Sequence, residues 1–89
     1  MDFDEFAVVV EHLRASEAPL SEEISANIAE FKGSTAPGKG RTFQLKSAPG
    51  YMTLEREDER AFTLAIFTSP DVRKKIEAAY NSAGKELGI

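Results

Sequence analysis

Residues 42–67, TFQLKSAPGYMTLEREDERAFTLAIF, decide the fold. Apolar side chains alternate in three short runs, at Phe43 and Leu45, at Met52 and Leu54, and at Phe62, Leu64 and Ile66. A period of two marks a strand with one buried face, so the stretch predicts strands over 42–47, 51–56 and 61–67. Between the first two, Ala48-Pro49-Gly50-Tyr51 places Pro and Gly at the central positions of a type II turn. The second connection, Glu57 to Arg60, is marked only by its polarity. Three strands joined this closely make an antiparallel meander.

The flanks switch to helical spacing. Phe3, Phe6, Ala7, Val10 and Leu13 share one sector of a helical wheel, which predicts a helix over 2–15. Val8 and Val9 lie off that stripe and, being β-branched, favour a competing strand. Asp2, Asp4 and Glu5 suit the positive end of a helix dipole and decide for the helix. Pro19 breaks the chain, and Ser21 before Glu22 and Glu23 predicts the N-cap of a second helix. Its apolar face is Leu20, Ile24, Ile28 and Phe31, with Gly33 as a left-handed stop. Residues 33–41, GSTAPGKGR, read as a flexible Gly/Pro loop. After the strands, Ser69-Pro70-Asp71 starts a third helix with Val72, Ile76, Ala79, Tyr80, Ala83 and Leu87 in one sector. The order ααβββα predicts one α+β domain over 1–89, its three-stranded antiparallel sheet packed against helices.

Composition narrows the chemistry. Eighty-nine residues are too few for two cores, and 42% hydrophobic with 29% charged residues is ordinary for a globular domain. Without cysteine there is no disulfide, thiolate zinc site or cysteine nucleophile, which fits a reducing interior. No apolar run approaches the roughly 18 residues of a membrane span, and no targeting segment is visible, so the expectation is a cytoplasmic protein with no membrane partner. His12 is the single histidine and falls opposite the apolar stripe, so no metal site is expected. Residues 37–42, PGKGRT, lack the spacer of a phosphate-binding loop. Tyr80 reads as a packing ring with a wet hydroxyl. No catalytic residue and no cofactor are expected.

Charge is segregated along the chain. Residues 1–31 hold eight acids against Arg14 alone, whereas 32–50 hold Lys32, Lys39, Arg41 and Lys46 and no acid. Local charge of this kind selects partners more than the net −4 does. The leading expectation is a non-catalytic protein–protein interaction module that meets its partner through an acidic face at Glu11, Glu22, Glu23 and Glu30. A small acidic inhibitor or regulator fits that description, including a phage- or mobile-element-encoded inhibitor of a host nucleic-acid enzyme. The alternative is nucleic-acid or anion binding through the basic loop 39–46, with Lys39, Arg41 and Lys46 on phosphates. An overall acidic chain of pI about 5 weighs against it.

The third strand raises one further expectation. In a sequential meander it is an edge, yet 61–67 carries neither charge nor proline to blunt it. Either the strand order is not sequential, or the first or second helix covers the edge, or the strand pairs through Phe62, Leu64 and Ile66 with another chain, as a homodimer through 61–67 or by strand addition from a different protein.

Overall fold

The alternating stretch forms the expected meander in the computed structural model, which describes residues 1–88. The elements are α1 (Phe3–Arg14), α2 (Ala18–Ser34), β1 (Gly40–Gln44), β2 (Tyr51–Arg56), β3 (Phe62–Phe67) and α3 (Pro70–Leu87). The sheet is antiparallel in the order β1-β2-β3, with Phe43 opposite Met52, Met52 opposite Ile66, and Arg56 opposite Phe62. This register puts Phe43, Met52, Leu54, Phe62, Leu64 and Ile66 on one face, and the three helices cover it. The result is two layers in a body 32 × 31 × 18 Å across.

Phe62 is the centre of the core. Its ring stacks on Phe3 at 4.4 Å between centroids and meets Phe6 edge-on at 5.7 Å. Phe31 of α2 closes the cluster at 6.4 Å. Leu13, Leu20, Ile24, Met52 and Leu54 are equally buried around it. Burying five or six such side chains contributes on the order of 10 kcal/mol before conformational entropy is subtracted.

Helix α1 is the middle helix, packed on α2 at one side and α3 at the other. That explains why Val9 is buried and Val8 half-buried although both lie off the sequence stripe, while Ala7 is exposed. Asp2 caps α1 by accepting the Asp4 N–H at 2.7 Å. His12, expected on an exposed face, is half-buried, with Nε2 2.7 Å from the Glu86 carboxylate of α3.

Several boundaries differ from expectation, each for a local reason. Helix α2 begins at Ala18, because Pro19 lacks an N–H and fits the first turn instead of breaking the chain. Ser21 is therefore inside the helix, buried, its hydroxyl donating to Val10 O at 2.7 Å. Gly33 is not a left-handed stop; the helix runs through it to Ser34, and Thr35 N–H donates to Phe31 O. The segment 33–41 is thus the end of α2, a turn, and the start of β1. That turn is fastened to β2, with Gly38 N–H on Arg56 O and Arg56 N–H on Lys39 O, both at 2.8 Å.

Strand β1 ends at Gln44 and not at 47, because the Glu23 carboxylate of α2 takes the N–H groups of Lys46 and Ser47 at 2.7 and 2.8 Å. The β1–β2 connection runs from Leu45 to Gly50 and is closed by Leu45 N–H on Gly50 O. Gly50 has the positive φ, 105°, that its sequence position predicts.

Candidate functional site

Only two small residues of α3, Ala79 and Ala83, are fully buried. Small side chains let α3 approach α1 closely, and the larger apolar residues of its stripe are left at the margin of that contact. Tyr80 is 52% exposed and Leu87 39%, and Met1 across from them is 40% exposed. These three surround a cleft of about 260 Å³ between α1 and α3, floored by Phe6, Val9 and Ala83, with Glu5 and Asn81 as its polar rim. Met1 is held there by its own backbone, its amino group donating to Phe62 O at 2.9 Å and its carbonyl accepting from Phe62 N–H at 2.8 Å.

The expected acidic face is divided. Glu11 and Glu22 both approach Arg14, at 3.5 and 3.4 Å. Glu23 holds the 46–47 backbone, and Glu30 lies 3.3 Å from Arg41. Partial burial pushes the Glu23 pKa up, but the backbone N–H groups of Ser47 and Lys46 outweigh it and hold the carboxyl below its ordinary value.

The expected basic set meets those same acids. Arg41 also reaches Ser34 Oγ at 3.2 Å and lies over the Phe43 ring at 4.6 Å, while Glu23, Glu30, Phe43 and Lys46 line one shallow groove between α2 and β1. The two sets that the sequence separates by charge are brought together by the packing of α2 over β1. Lys39 stands apart and exposed. Leu64 and Ile66 are half-buried and Phe62 fully so, which puts the expected edge-strand residues in two different environments.

Arg56 is the charged residue that the sequence reading passed over. Its side chain is only 7% exposed, and its guanidinium donates to Lys32 O (2.6 Å), Thr35 O (3.2 Å), Asp58 O (2.9 Å) and Glu59 O (3.0 Å). The ring of Phe3 lies 5.2 Å beneath it. A cation at the C-terminal carbonyls of α2 is favoured by the helix dipole, and here it also fixes the β2–β3 connection. The one sequence signal was its place as the inward residue of β2 after Met52 and Leu54.

Among the described residues, no group of three or more His, Asp or Glu side chains is arranged to hold a metal ion, and no helix is long and apolar enough to cross a membrane. A scan against protein-family models found no match, and searches of curated proteins and of solved structures found none either.

Proposed function

We propose that this chain is a non-catalytic protein-binding domain whose docking point is the cleft between α1 and α3. The observation that carries the reading is the convergence of Met1, Tyr80 and Leu87, all exposed, on one concave site. Exposed apolar groups gathered in one place are a mark of interaction surfaces, and Tyr is enriched among residues that dominate binding energy. A volume of about 260 Å³ is below the range typical of small-molecule sites. It suits one bulky apolar side chain presented by a partner protein. The net charge of −4 suits a small inhibitor or regulator acting in the cytoplasm on a target with a basic surface. Nucleic-acid binding is the weaker reading, since Arg41 and Lys46 stand beside acids of α2.

The test is a pull-down from lysate of the source organism, with and without nuclease, comparing the wild-type chain with Tyr80→Asp. Tyr80 is exposed on a helix surface, so the variant should keep its far-UV circular dichroism. A protein partner that survives nuclease and is lost from Tyr80→Asp is the expected result. Partners that vanish with nuclease, or that ignore the substitution, would overturn it.

A further inference from the structure

The edge of β3 is closed at its first residue, and among the described residues no backbone bond to it is made along the rest. Asp2 pairs antiparallel with Ala61, and both polar backbone groups of Phe62 are bonded to Met1. Residues 1–2 therefore lie in the lane that a fourth strand would take. In an antiparallel ladder, alternate residues direct their N–H and C=O to the same side. Since the N–H and C=O of Phe62 point to the edge, those of Leu64 and Ile66 do too, and no backbone group among the described residues bonds them there.

The part of the lane that residues 1–2 do not fill runs beside α3. Met1 lines the cleft with Tyr80, Gly84 and Leu87, so the lane passes beneath α3. Phe62 is fully buried where Met1 is present. Leu64 and Ile66, on the same face of the same strand, are only half-buried where it is not, as are Val72 and Ile76 of α3.

We propose that β3 is completed by one extended segment of a partner protein, added antiparallel at Leu64 and Ile66 beneath α3. The proposal rests on the chain being a protein-binding domain and supplies the backbone part of that contact. An outward row of N–H and C=O groups is matched along its length by another extended backbone, and the apolar side of α3 above it favours a segment that alternates apolar and polar residues. From Ala61 to Ser69 there is no charge to repel it. A second copy of β3 fits less well. Antiparallel pairing would put its α3 on the same side of the joined sheet, and two helices would contend for the space over one lane.

The probe is a capped peptide of about seven residues alternating valine and threonine, a common strand length, titrated into the chain and followed by amide NMR. At saturation the Leu64 and Ile66 amides should shift and exchange with water at least about tenfold more slowly. The same peptide N-methylated at alternate residues should do neither. Shifts confined to other residues, or equal effects from the methylated peptide, would overturn the proposal. Protection present without peptide and lost on dilution would also overturn it, in favour of a second copy. In the chain itself Ile66→Pro removes an outward N–H without breaking the ladder to β2. A cellular partner lost from Tyr80→Asp but kept by Ile66→Pro would leave the protein-binding reading standing and remove strand addition alone.

Discussion

Replacing Arg56 by alanine should be among the most damaging substitutions in the chain. The change deletes four hydrogen bonds to the carbonyls of Lys32, Thr35, Asp58 and Glu59, and the cation over Phe3. Three of the four bonds are only part-buried, so water can re-enter there, while the bond to Thr35 O is buried. At about 1 kcal/mol for each bond the loss is about 3–4 kcal/mol. A domain of this length holds about 4–13 kcal/mol in all, so the variant would spend a measurable fraction of its time unfolded. With an m-value of about 1 kcal/mol/M in urea, the midpoint should fall by about 3 M. Far-UV circular dichroism is the appropriate signal because the chain has no tryptophan. Arg56→Lys should recover less than half of the loss, since one ammonium cannot reach carbonyls on both α2 and the 58–59 connection. A loss below about 1 kcal/mol in Arg56→Ala, the usual net value of one hydrogen bond, would show that the four bonds do not act together in holding the fold. So would full recovery by lysine, which would mean that only charge matters.

Gly50→Ala should destabilise by at least about 2 kcal/mol, because Gly50 has a positive φ and an added methyl would collide with the Phe67 carbonyl; an unchanged melting temperature would contradict this. Thr35→Val should be neutral or raise the melting temperature by up to about 5 °C. The Thr35 hydroxyl is buried without a hydrogen-bond partner, and its extended backbone suits valine. A clear loss of stability would show that the hydroxyl is satisfied in solution. Stability should also decline as pH falls below about 4–5, the ordinary carboxylate range. Glu23 is held low as described, and Asp58 is held low by the N–H groups of Arg60 and then Ala61. Groups whose folded pKa is depressed stabilise fully above the unfolded value and cease to do so as pH falls through the folded one. Glu23→Gln should therefore flatten part of the decline in urea midpoint, and an identical slope in the variant would argue against its role.

The strands, the order ααβββα and the three helices are legible because each is written in local periodicity and in single residues with one physical meaning. Gly50 must bend the chain where few other residues can, and Ser69-Pro70 must start a helix. The same local logic misplaced the start of α2, since Pro19 suits a first helical turn as well as it suits a break. Which of those meanings holds depends on whether Ser21 is wanted as a cap or, as it proves, as a buried donor to Val10. The site was less legible, because a site is a relation between residues distant in the chain. The sequence separates acids from bases, and the packing of α2 over β1 sets Glu30 beside Arg41. Met1, Tyr80 and Leu87 stand at opposite ends of the chain and become one cleft only because Ala79 and Ala83 let α3 close on α1. Arg56 reads as a polar strand residue until the carbonyls of Lys32 and Thr35 arrive from α2. Local spacing wrote the elements and the uncharged run of β3, whereas the covering of Phe62 by Met1, and the closing of α3 on α1 beside it, came from the tertiary packing of three helices on the sheet, which joins residues far apart in the chain.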